Sequence, residues 1–155
     1  MSFKRRHFAV AAFASFAILL SSCTSGAQSG RTLDQASADA AAIRGVTEAS
    51  VEMRNYRSGF TSEWGTTVNF TPSPGFEEGS KSAALRELLR IGWSVNEHEL
   101  TNGVALSVGR TSGVDLVALA RESHLPQFAS NPRLRYQITF SESDMEQLFG
   151  AWPGS

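Results

Sequence analysis

Trp64-Gly65-Thr66-Thr67-Val68-Asn69-Phe70 decides the fold of this chain. Trp64, Thr66, Val68 and Phe70 alternate with Gly65, Thr67 and Asn69, and successive side chains of a β-strand point to opposite faces of the sheet. The stretch therefore reads as a strand with one packed and one wet face. Strands of a doubly wound α/β enzyme are covered on both faces and read as continuous Val/Ile/Leu runs. This one does not, so helices are expected on a single side.

The neighbouring stretches repeat the pattern. Ala49, Val51 and Met53 alternate with Glu48, Ser50, Glu52 and Arg54, and Arg57-Ser58-Gly59 reads as the turn that joins the two strands into a hairpin. Pro72, Pro74 and Gly75 end the second strand, since proline has no N–H to give to a ladder. Val104, Leu106 and Val108 follow the Asn102-Gly103 turn as a third strand, and Val95 to Leu100 is a candidate hairpin partner for it. Leu134, Tyr136, Ile138 and Phe140 alternate with Arg133, Arg135, Gln137 and Thr139 in a fourth, after the Asn131-Pro132 break.

Helical periodicity fills the gaps. Ala84, Leu85, Leu88, Leu89, Ile91 and Val95 recur at three and four behind Ser80 as cap, one apolar stripe with Arg86, Glu87 and Arg90 on the water side. Val114 to Ser123 and Asp144 to Phe149 read as shorter helices, and Asp34 to Ile43 as an Ala-rich one leading into the first strand. The order β-β-α-β-α-β-α predicts an α+β two-layer sandwich: about four strands, mostly antiparallel, with the helices packed on one face.

The N-terminus follows a different logic. Lys4, Arg5, Arg6 and His7 precede an uncharged run, Phe8 to Leu20, of about 13 residues; crossing a bilayer core takes about 20. That layout belongs to an export signal rather than to the fold. Leu20-Ser21-Ser22-Cys23 resembles the lipobox of bacterial lipoproteins: a Leu, two small residues and a Cys. The resemblance, confined to the first 23 residues, implies that Cys23 is the lipid-attachment residue, carrying a diacylglycerol and becoming residue one after cleavage. It further implies a cell-membrane or outer-membrane location on the extracytoplasmic side, with membrane lipid the partner of Cys23. An ordinary secretory signal cut near Ala27 is the alternative.

The expected organisation is then a signal peptide at 1–22, a lipidated Cys and flexible tether at 23–40, and one domain at 41–155. Taking Lys4, Arg5 and Arg6 from the 14 Lys and Arg leaves 11 against 15 Asp and Glu, a formal charge of −4. Mild acidity argues against nucleic acid and against electrostatic adhesion to anionic lipid. Cys23 is the single cysteine, so an intramolecular disulfide, a Cys-based zinc site and a dithiol redox role are excluded.

Chemistry-bearing motifs are sparse. Glu97-His98-Glu99 sits on a polar loop where adjacent side chains diverge, and His124 follows a helix, where histidine commonly meets the last carbonyls. Glu77-Glu78 suits a helix N-terminus. There is no Gly-x-Ser-x-Gly elbow, dinucleotide fingerprint or P-loop lysine, and no cofactor or metal is expected. Trp64, Phe70, Trp93, Tyr136 and Phe140 fall at inward positions and are expected in the core; Trp152, beyond the last helix, either docks back or stays available to a partner.

The expectation is a lipid-anchored, non-enzymatic binding or interaction domain for an envelope protein or small ligand. Its outward sheet face carries Glu52, Arg54, Thr67, Asn69, Arg133, Arg135 and Gln137. The alternative is an envelope hydrolase acting on glycan or peptide, which requires Glu97, His98 or Glu99 brought beside Asp115 or His124.

Overall fold

The computed structural model describes residues 30–76, 81–126, 128–130 and 133–154. Cys23, Glu77, Glu78, the expected cap Ser80 and the Asn131-Pro132 break lie outside the described residues. The elements are α1 (Leu33–Ala41), β1 (Val46–Ser58), β2 (Thr61–Pro72), α2 (Lys81–Trp93), β3 (Gly103–Val108), α3 (Leu116–Glu122), β4 (Gln137–Phe140) and α4 (Glu142–Phe149).

The sheet runs in the order β1-β2-β3-β4, with β1/β2 and β3/β4 antiparallel and β2/β3 parallel. Register aligns the alternation across all four strands: Val51, Val68, Leu106 and Ile138 form one inward row, and all four are buried. The helices lie over that face, and Ala36, Ala40, Leu85, Leu88, Leu89, Leu116, Leu119 and Met145 join the strand residues in one core. This is the α+β two-layer arrangement that the one-sided alternation predicts.

Helix α2 lies directly on the sheet because Gly92 offers no side chain. A Cβ there would stand 2.7 Å from Val104 Cγ1 and 2.9 Å from Val68 Cγ2, inside van der Waals contact. Thr66 Oγ1 uses the same proximity to donate to the Gly92 carbonyl at 3.0 Å. One glycine thus sets the spacing of the two layers.

Four details depart from the sequence expectations. Residues 33–40 fall within the expected tether bounds but form the helix read over Asp34 to Ile43: Thr32 caps α1 in a reciprocal box with Gln35, and Ala36 and Ala40, one turn apart, are fully buried. Small residues at that spacing let α1 approach closely, where composition alone resembled a linker. Val95 to Leu100 does not pair with β3, because β3 follows a crossover through α2 and takes β2 and β4 as neighbours; Val95 instead bridges Arg31. The fourth strand begins at Gln137 rather than Leu134, since the Leu116 N–H takes the Arg135 carbonyl at 2.8 Å and turns the chain toward α3. The last helix starts at Glu142, capped by Ser141 and boxed by Asp144.

Each edge of the sheet body is met at one point, which limits edge-to-edge pairing there. On β1 the Val51 N–H donates to Ser37 Oγ of α1 at 2.9 Å. Beyond β4, Ala129 exchanges two backbone hydrogen bonds with Thr139, at 2.8 and 2.9 Å.

Candidate functional site

Because every helix lies on one side, the opposite face of the sheet stands open. Its rows follow from register: Glu52, Thr67, Ala105 and Thr139 form one, and Ser50, Asn69, Ser107 and Gln137 the next. The middle of this face is made of short side chains. Thr67 and Ala105 are buried among their neighbours although no helix covers them, which leaves a nearly flat polar floor. The Asn69 Nδ2 donates to Glu52 Oε1 at 3.4 Å, linking β2 to β1 across the face, and Arg54 of the same strand β1 pairs with Glu52 at 2.7 Å.

Two shallow depressions flank the floor. One of about 370 Å³ lies toward the β1 start and β3 end, lined by Glu48, Ser50, Asn69, Thr71, Ser107 and Gly109 among others. The other, about 270 Å³, lies at the opposite end and is lined by Glu63, Thr101, Asn102, Thr139, Glu142 and Asp144 among others. A third hollow of about 450 Å³ sits away from this face, between Arg44 and Lys81.

The expected outward residues divide on this map. Glu52, Arg54, Thr67, Asn69 and Gln137 belong to the face. Arg133 and Arg135 precede β4, and Arg135 reaches sideways to Asp115 at 2.7 Å. The sequence reading missed Ser107 and Ala105, the floor residues from β3, because short neutral side chains carry no charge signal.

The residues required for hydrolysis are not brought together. His98 stacks on Trp64 with ring centroids 4.0 Å apart and planes 11° from parallel, beside the Gly65–Gly103 pair at the start of β3. Asp115 lies at the other end, where the Leu116 N–H meets the Arg135 carbonyl and the Val108 N–H meets the Tyr136 carbonyl. Six residues of β3 separate those ends, about 17 Å or more at roughly 3.3 Å per residue. His124 follows Ser123, whose carbonyl accepts from Ser82 Oγ at 3.1 Å, at the α2 terminus remote from the Glu97–Glu99 loop. The 11 steps from Ser82 to Trp93 of α2 span about 17 Å.

Asp115 and Glu97 have local structural tasks. Asp115 caps α3 by accepting from the Ala118 N–H at 3.0 Å; that bond, aided by Arg135, holds its carboxyl below the ordinary range against a smaller opposing effect of burial. Glu97 Oε1 accepts from the Leu33 N–H at 3.3 Å, tying the loop to the first turn of α1. His124 adopts a left-handed φ of 51° just past the α3 C-terminus. Among the described residues no group of three His, Cys, Asp or Glu side chains is placed to hold a metal ion.

The aromatics separate into core and margin. Phe70, Trp93 and Phe140 are buried as expected, and Trp93 Nε1 donates to the Gly150 carbonyl at 3.2 Å. Trp64 and Tyr136, expected in the core, are only partly buried: Trp64 meets His98, and Tyr136 lies under the Arg110 guanidinium at 5.1 Å. Trp152 docks back, with Nε1 donating to the Val95 carbonyl at 2.9 Å.

Comparison with protein-family models, with curated proteins and with solved structures finds no match to this chain. Among the described residues no helix is long and apolar enough to cross a membrane.

Proposed function

We propose that this chain is a membrane-anchored bacterial lipoprotein whose α+β domain binds a polar partner, an envelope protein or small ligand, through the open face of its sheet. Residues 20–23 support the anchor, by their likeness to a lipobox. Cys23 then carries the acyl chains, and two or more chains hold a protein stably at a bilayer where one does not.

A single observation carries the binding reading: Asn69 and Ser107 stand partly exposed in one row beside the buried Thr67 and Ala105, with a depression at either end. Short side chains bring hydrogen-bonding groups of hydroxyl and amide close to the surface, so a partner can approach without displacing long, mobile side chains. The hydrolase alternative has no such support, since Asp115 and His124 lie away from the Glu97–Glu99 loop.

Two measurements test the proposal. Radiolabelled palmitate should enter the protein but not Cys23→Ala, and the variant should leave the membrane fraction; equal label in both rejects the anchor. Ser107→Arg raises a long cation from the middle of the floor without touching the core. A partner captured from detergent-solubilised envelope by the lipidated protein should be lost from Ser107→Arg at unchanged thermal stability. Retention at wild-type yield rejects the sheet face as the binding surface.

A further inference from the structure

The β1/β2 hairpin outruns the rest of the sheet. The last rung shared with a third strand is Gly65–Gly103, yet β1 and β2 continue through the pairs Asn55–Trp64, Tyr56–Glu63, Arg57–Ser62 and Ser58–Thr61. Five residues from Gly65 to Phe60 carry the tip about 15 Å beyond the body. Gly59, at φ +61°, supplies the positive φ that a two-residue hairpin turn of the type II′ family needs at its first central position.

The base of this arm is braced. The Asn102 N–H donates to the Trp64 carbonyl at 2.8 Å, the Trp64 N–H donates to Thr101 Oγ1 at 3.1 Å, and His98 stacks on the indole. The tip is the reverse: Phe60 is fully exposed and Tyr56 is 44% exposed, the two exposed large hydrophobic side chains among the described residues, with Arg57 between them in sequence.

The chain enters the domain at this same end. Gly30 is followed by Arg31, which bridges Val95, with the Arg31 N–H on the Ser94 carbonyl at 2.6 Å and the Asn96 N–H on the Arg31 carbonyl at 3.1 Å. That segment leads directly into the loop whose His98 covers Trp64. Seven peptide steps from Cys23 to Gly30 reach at most about 25 Å. A lipid on Cys23 therefore keeps the entry point of the chain, at the end that bears the arm, within about 25 Å of the bilayer.

Resting on the lipid-anchor reading, we infer that the hairpin tip is a second membrane contact, with Phe60 seated in the interfacial zone of the bilayer and Arg57 and Tyr56 at headgroup level. Aromatic side chains favour that zone, and an arginine beside them meets lipid phosphate. The mature chain's formal charge of −4 gives no general attraction to an anionic surface, so the contact is local to the tip. The acyl chains supply retention, and the tip sets orientation: the polar sheet floor stands off the bilayer rather than lying on it.

The test uses the lipidated protein in vesicles of phosphatidylethanolamine and phosphatidylglycerol. An environment-sensitive dye is placed on Ser62→Cys, whose thiol is distinct from an acylated Cys23, and a control dye on Ala41→Cys at the far end of α1. Nitroxide lipids should quench the dye at position 62 and spare the one at 41, and adding Phe60→Ser should abolish that quenching. In the unlipidated Cys23→Ala background, Phe60→Ser should lower vesicle partitioning about tenfold, the loss expected for one phenyl group partly removed from water.

Mass spectrometry of the N-terminal peptide separates the possible failures. Acylated Cys23 with no quenching at position 62 overturns the tip contact and leaves the anchor standing. An unmodified Cys23 overturns the anchor and the inference with it. A dye shift that develops without lipid, together with a dimer in analytical ultracentrifugation, overturns the membrane contact in favour of a second copy of the chain.

Discussion

Gly92→Ala isolates the contact that sets the distance between helices and sheet. The added methyl would lie 2.7 Å from Val104 Cγ1, 2.9 Å from Val68 Cγ2 and 3.2 Å from Thr66 Oγ1, and none of these atoms ends a long flexible side chain. Val68 and Val104 are fully buried, so relief requires moving α2 or the strands. Overpacking of this kind costs about 1–3 kcal/mol. Alanine returns at most about 1 kcal/mol of helix propensity, and less at Gly92, in the last turn of α2. The net expectation is a destabilisation of about 1–2 kcal/mol, read as a lower urea midpoint at unchanged m-value and a Tm lower by roughly 3–8 °C. Val104→Ala removes the closest methyl, so adding Gly92→Ala to that background should cost about 1 kcal/mol less than in the parent, a coupling within the range for residues in contact. A Gly92→Ala protein as stable as the parent, or equal costs in both backgrounds, would refute the close-approach reasoning.

Three further outcomes follow from the same structure. Thr32→Ala removes the Oγ1 acceptor of the α1 capping box and should destabilise by about 1 kcal/mol in urea unfolding, with amide exchange in α1 faster than in α2. Ser123 Oγ is buried with no hydrogen-bond partner among the described residues, so Ser123→Ala should be neutral or stabilise by up to about 1 kcal/mol in thermal denaturation. Glu87 accepts from Arg90 Nε at 2.8 Å, a bond that holds its carboxyl below the ordinary 4.5. A folded pKa lower than the unfolded one gives stability present above about 4.5 and lost as pH falls through the folded value. Both side chains are about one-third exposed, so Glu87→Gln should cost only about 0.5 kcal/mol at pH 7, with the difference from the parent closing toward pH 3.

Much of the fold was legible because period-2 alternation states directly which face of a strand is buried. Val51, Val68, Leu106 and Ile138 were all assigned inward from local pattern, and they form one registered row. Propensity and caps gave a weaker signal at element ends. The Ala-rich stretch Asp34 to Ile43 was readable as a helix, but its Ala and Ser carry little hydrophobicity, and the close approach that buries Ala36 and Ala40 exists only once β1 is in place. Trp64 and Tyr136 have the inward parity of core residues, yet they stand at sheet ends where the helix layer stops. Parity is a local property, whereas burial depends on what lies opposite.

The candidate site divides in the same way. Glu52, Arg54 and Asn69 were readable as outward polar residues, and the separation of His98 from Asp115 and His124 was not, because it depends on which end of the sheet each loop returns to. The sequence by itself determined the four alternating strands and one-sided packing, since each follows from residues close together along the chain. Tertiary structure alone decided the parallel β2/β3 pair, the polar floor assembled from β2 and β3, and the common end at which the chain enters and the hairpin arm leaves. Those features join residues tens of positions apart, so no local pattern reports them.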